Sequence, residues 1–182
     1  MDKRRKLRFP ALCAALVLLL GGCGSNKESD GIEVKIDNTA ASYEELDLQE
    51  IADEIYGSLD ISEVTLDSVE RVTDEEVLEE QFYLDPDDVV SCEVRAANGD
   101  FGVADVCLVV AKEGAADRVA ESLEQRKDDR IAEFSAYDVY DSAQIALDAD
   151  VAQMGRLVVL LMLDEDGQTS AKEIIESYLP ES

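Results

Sequence analysis

The chain contains no histidine and no tryptophan. Without histidine there is no Ser-His-Asp or Cys-His catalysis and no imidazole-ligated metal. Aromatic residues make up only 5% of the sequence, so an aromatic cradle for sugars or bases is poorly supplied. Positive charge is also scarce: 16 Lys and Arg stand against 43 Asp and Glu, a formal net charge of −27. Such a surface repels nucleic acid, whose affinity comes from neutralised phosphates, and it repels anionic headgroups. No nucleic-acid partner is expected. Neither a Gly-rich phosphate loop nor a CxxC pair occurs, and no cofactor is expected.

What is present begins with an address. Lys3, Arg4, Arg5, Lys6 and Arg8 form a positive stretch, followed by an unbroken apolar run from Ala11 to Leu20. That order is a secretory signal peptide, and ten apolar residues are too few to span a bilayer, which takes about 20. Leu20-Gly21-Gly22-Cys23 then resembles a bacterial lipobox. The resemblance implies a diacylglyceryl thioether on Cys23 and cleavage just before it. Cys13 lies in the apolar run and would leave with it. From Cys23 onward there are 11 basic and 42 acidic residues, a formal charge of −31. The expected organisation is a signal peptide over 1–22, a lipid-anchored tether over 23–45 and one domain over 46–182. Two acyl chains would hold the protein to the membrane. Ile32, Val34 and Ile36 alternate inside the tether and also suit a short strand.

Within the domain, Leu48, Ile51, Ala52, Ile55, Tyr56 and Leu59 fall on one helical face. Asp47 with Glu50, or Ser42 with Glu45, can cap that helix. Thr73-x-x-Glu76 predicts the cap of a second, short helix through Phe82. Between the two, Val64, Leu66, Val69 and Val72 are irregularly spaced and read as a loop. Val89 to Ala96 alternates as a strand, Asn98-Gly99 signals a hairpin, and Val103 to Ala111 returns. A long helix is predicted over 115–134, a third strand over 145–149, and an apolar central strand over 157–163. The last helix carries Ala171, Ile174, Ile175, Tyr178 and Leu179, with Ser170 and Glu173 as its expected capping box. This order predicts an α+β two-layer domain: a mainly antiparallel sheet of about four strands with helices on one face.

Several residues carry a resemblance. Leu46-Asp47-Leu48 opens the first helix, Tyr83-Leu84-Asp85-Pro86-Asp87-Asp88-Val89 enters the first strand, and Arg126 and Tyr137 flank the end of the long helix. Gly155-Arg156-Leu157-Val158 enters the penultimate strand. Together with the lipobox and acidic tether, this order resembles small bacterial lipoproteins of the domain-of-unknown-function 4358 family, found mainly in Gram-positive gut bacteria. The likeness covers Leu46 to Leu179. One departure is that Tyr137-Asp138-Val139-Tyr140 lacks the Tyr-x-Pro element common in that family. The resemblance implies a fold and an extracytoplasmic face of the cell membrane, and no activity.

Three features are candidate sites. Asp164-Glu165-Asp166-Gly167 fails as a calcium loop, because Gly167 is fourth rather than sixth and the twelfth residue is Ile175. No metal site is expected. Arg118, Arg126, Lys127 and Arg130 concentrate positive charge on one helix. Arg126 and Arg130 share a face, with Tyr137 just beyond, and suit an anion site. The same cations equally suit ion pairs three residues apart: Glu124–Lys127, Arg126–Asp129 and Arg130–Glu133. Cys92 and Cys107 lie on the two arms of the predicted hairpin. A four-residue connection sets them opposite each other, within reach of a disulfide, whereas a two-residue turn pairs Cys92 with Asp105. A bridge and two reduced core cysteines are both compatible with the pattern.

The functional expectation is a non-catalytic binding or accessory module of the envelope, with an unidentified protein or small-molecule partner. A structural, envelope-assembly lipoprotein is the second reading. A carboxylate-dependent hydrolase is the third, since 42 acids make close pairs by chance.

Overall fold

The computed structural model describes residues 42–180. The expected signal peptide, Cys23 and most of the expected tether, including Ile32 to Ile36, lie outside the described residues. A 3-10 turn at Tyr43–Glu45 precedes helix α1 (Leu48–Ser58), so the fold takes in three residues ahead of Leu46. Then come α2 (Glu63–Asp67), β1 (Val69–Arg71), α3 (Glu75–Phe82), β2 (Val89–Ala97), β3 (Asp105–Ala111) and α4 (Ala116–Ala136). The chain closes with α5 (Ser142–Asp148), β4 (Asp150–Met154), β5 (Leu157–Met162) and α6 (Glu165–Tyr178). Among the described residues, no helix is long and apolar enough to cross a membrane.

The strands form one antiparallel sheet in the order β1-β2-β3-β5-β4. The α+β class and the antiparallel sheet are as expected; the strand count is five, not four. The added strand is β1, in the segment read as a loop. Its three residues are too few to show a period, and it exists by pairing Val69 to Arg71 with Ala97 to Arg95.

The helices occupy both faces of the sheet, which corrects the two-layer expectation. Alternate residues of β3 and β5 make the two cores. Val106, Leu108, Val110, Leu157, Val159 and Leu161 pack with Ile51, Ile55 of α1 and Ala171, Ile175 of α6. Cys107, Val109, Val158, Leu160 and Met162 pack with Phe82 of α3, Val119, Leu123 and Phe134 of α4, and Ala146 of α5. Every residue of β3 and β5 is buried. A strand covered on both faces reads as a continuous apolar run rather than an alternation, as Leu157 to Leu163 does.

Local chemistry sets the ends. Asp47 Oδ1 accepts from Glu50 N at 3.0 Å and caps α1. The cap of α3 is Asp74, not Thr73: its Oδ1 accepts from Glu76 N and Val77 N. The cap of α6 is Asp164, whose Oδ1 accepts from Gly167 N at 2.8 Å, so the helix begins six residues before the expected Ser170 box could open it. The segment 145–149, expected as a strand, lies mostly within α5, and the strand follows it as β4. Gly155, at φ 66, makes the tight β4–β5 turn, and a Cβ there would collide with the Tyr43 hydroxyl.

Candidate functional site

The basic face of α4 comes to a buried carboxylate rather than to solvent. Asp105, at the start of β3, is 0% exposed. Its Oδ1 accepts from Arg130 Nη2 at 3.0 Å and from Ala97 N at 3.1 Å, and its Oδ2 accepts from Arg126 Nη2 at 3.2 Å. Arg130 Nη2 also donates to Ala97 O at 2.9 Å, and Nη1 donates to Glu133 at 2.8 Å. The two guanidiniums stack on rings, Arg126 over Phe82 at 4.4 Å and Arg130 over Phe134 at 5.0 Å. Burial pulls the Arg130 pKa down, but Asp105 and Glu133 offset that and hold it above its ordinary value.

The cluster therefore binds α4 to the point where β2 and β3 leave their ladder. Of the three helix pairs expected from spacing, only Arg130–Glu133 is made as an ion pair. Arg126 goes to Asp105 instead of Asp129, which accepts from the Tyr83 hydroxyl. Lys127 donates to Ala149 O, and Arg118 pairs with Asp88. Tyr137, expected beside the two arginines, is 62% exposed, and the ring against Arg126 is that of Phe82. Asp105 was missed by sequence reasoning. Its signal was an acid lodged between Val103-Ala104 and Val106-Cys107, where an unpaired charge is costly.

A second buried acid, Glu93 of β2, has the same logic. Arg95 Nε donates to its Oε1 at 2.8 Å, and Arg71 Nη2 lies 2.6 Å from Oε2 as an ion pair without hydrogen-bond alignment. Arg95 also reaches Asp53 at 2.7 Å.

The two cysteines are free. The register sets Cys92 opposite Val109 and Val94 opposite Cys107, so the thiols sit two residues out of register on one face. This corrects both expected registers. The connection, residues 98–104, is seven residues long, because Asn98 Oδ1 accepts from Asp100 N and starts a 3-10 turn at Gly99–Phe101 instead of a two-residue hairpin. Diagonal neighbours stand about 7–8 Å apart, beyond disulfide reach. Burial raises the pKa of both thiols.

A cleft opens elsewhere, at the sheet end where α2, α5 and α6 meet. This cleft of about 690 Å³ has Val103 and Leu163 at its floor and Tyr140 and Asp141 in its wall. Beside it, Gly102 lets α2 and α5 approach: its φ is +107, and a Cβ would come 3.1 Å from Thr65 Oγ1 and 3.4 Å from Ser142 Oγ. Tyr140 (φ 52) and Asp141 (φ 59) are consecutive left-handed residues. Such conformations cost non-glycine residues about 1–3 kcal/mol each. Asp138 Oδ1, not Asp141, accepts the Ala143 N at the start of α5. Among the described residues, no group of three or more Cys, Asp or Glu side chains is arranged to hold a metal ion.

These features define a five-stranded antiparallel α+β domain, pinned by buried arginine–carboxylate clusters, with a cleft at one end of the sheet. The chain belongs to the family described as domain of unknown function (DUF4358), whose model matches residues 62–163. Asp105, Arg126, Arg130, Tyr140 and Asp141 all fall inside that span. No curated protein and no solved structure gives a significant match to the chain.

Proposed function

We propose that this protein is a lipid-anchored, extracytoplasmic binding module of a bacterial cell membrane. The cleft of about 690 Å³ carries the binding part of this reading. Its volume falls within the few hundred to a thousand Å³ typical of small-ligand sites, and polar side chains converge on an apolar floor. The arginines of α4 have a structural part in the same reading: they brace the sheet end from which Val103 enters the cleft floor. Anchoring rests on Leu20-Gly21-Gly22-Cys23. The acidic chain would stand off an anionic surface while two acyl chains hold on.

Both parts are testable in the native host. Alkyne-palmitate should label the wild-type protein, and Cys23→Ala should lose the label and accumulate as the uncleaved precursor. Labelling that survives the substitution would sink the anchored reading. For binding, a fragment panel read by amide chemical shifts should move Gln144, Ile145 and Gln168 in saturable fashion. A panel that leaves these amides still removes the binding reading.

A further inference from the structure

We propose that the cleft between α2, α5 and α6 receives a small molecule carrying a protonated amine on an apolar body. The inference rests on the binding reading above and adds the class of ligand. The apolar part has its counterpart in Ile61, Val103, Ile145 and Leu163. The charged part faces five acidic side chains, Asp60, Asp141, Asp148, Asp164 and Glu165.

An acidic rim alone says little in a chain this acidic. What sets the cleft apart is that its charge is left without a counterion. No Lys or Arg among the described residues pairs with any of the five. The single cation in the lining, Lys172, is held by Asp150 at 2.8 Å, outside the lining. The two smaller grooves are different: arginine lines each of them, Arg71 in one and Arg126 with Arg130 in the other.

The acids also differ in how far they are committed. Asp164 accepts from Gly167 N, and Asp148 Oδ2 accepts from Gln144 Nε2 at 2.7 Å. Asp141 stands at the cap position of α5 without making a cap bond, so its carboxylate remains for a ligand. Tyr140 beside it is 59% exposed, and a ring face next to carboxylates is an arrangement that attracts alkylammonium groups. A carboxylate or phosphate ligand would meet five like charges. A neutral ligand would gain only from the floor.

The test uses the full ¹⁵N-labelled chain in a non-ionic detergent, titrated with hexylamine, hexanol and hexanoate. Hexylamine should move the amides of Ile145, Gln168 and Thr169 saturably, and leave Gln49 and Ser91 in another groove unmoved. Hexanol should bind at least about fivefold more weakly, and hexanoate more weakly still. The double variant Asp60→Asn, Asp141→Asn should weaken hexylamine about tenfold, at about threefold per carboxylate, and leave hexanol unchanged. Asparagine is chosen because it tolerates the left-handed backbone of Asp141. Hexanol or hexanoate binding as tightly as hexylamine would overturn the amine assignment and leave the binding reading standing. So would a folded double variant with unaltered hexylamine affinity. A cleft silent to all three probes would overturn the assignment and count against the binding reading as well. The probe comparison needs no variant, so it decides even if the double variant does not fold.

Discussion

At the scale of single residues, Asp105 and Arg130 carry the most consequence. Arg130 is 4% exposed and makes bonds to Asp105, Ala97 O and Glu133. Arg126 makes one bond to Asp105 and keeps 12% of its side chain exposed. Removing one partner of a buried pair leaves a charge without compensation, at a cost of about 3–5 kcal/mol. Arg130→Ala should therefore lower the urea midpoint far more than Arg126→Ala, with Arg118→Ala least. Arg130→Lys should not restore it, since an ammonium cannot serve Asp105, a carbonyl and Glu133 from one planar fork. Equal midpoints for Arg130→Ala and Arg126→Ala would show that the cluster is not held as described. Sequence alone drew attention to Arg126 and Arg130 and to the wrong companion, Tyr137. The true companion, Asp105, lies 25 residues before Arg130, beyond any helical spacing.

At the scale of elements, long periodic segments were legible and short ones were not. α1, α4 and the core of α6 follow the apolar spacing of their own residues, β2 follows alternation, and β3 and β5 follow continuous apolar runs. Three residues of β1 and seven of α5 hold too little period to be told apart from loop and strand. Their form comes from neighbours: β1 from pairing with β2, α5 from packing Ala146 against β5 and α4. Caps show the same ambiguity at one residue's distance. Thr73 and Asp74 can both cap a helix, and the backbone of Asp74, at φ −77 and ψ 121, is the one that turns in. Asp74→Ala should cost about 1 kcal/mol in chemical denaturation. Thr73→Ala should cost clearly less, and the reverse order would return the cap to Thr73.

At the scale of the whole molecule, the buried neutral acids shape stability against pH. Burial first, then the charge of Asp105, pushes the Tyr56 phenol well above its usual value near 10.0. Burial pushes the Cys107 thiol above its usual 9.0. The folded chain keeps these protons where the unfolded chain has lost them, so stability is full below about pH 9 and falls as pH rises. Tyr56→Phe should flatten the decline above pH 10. It should also cost about 0.5–1.5 kcal/mol at pH 7, through the lost bond from the hydroxyl to Ala104 O. Melting curves across pH 7 to 11 would check both, and an unchanged alkaline slope would exclude Tyr56 as its source. At the other end, ion pairs with Arg156 and Arg118 hold Glu44 and Asp88 below their usual values. Their contribution is present above the ordinary carboxylate range and is lost as pH falls through the lowered values.

Periodicity is a linear pattern, set by residues close to one another along the chain. That is why helix faces, strand alternation and the α+β class could be read from sequence. The second helical layer, the seven-residue connection between the strands of Cys92 and Cys107, the Asp105 cluster and the cleft all depend on residues distant in sequence. Asp105 meets Arg126 and Arg130 only because β3 lies in the middle of the sheet and α4 crosses it. Beside the cleft, Gly102 lets Thr65 and Ser142 approach from two helices that share no local pattern. Loop closure and close packing decide such meetings, and both are properties of the folded chain rather than of any stretch of it.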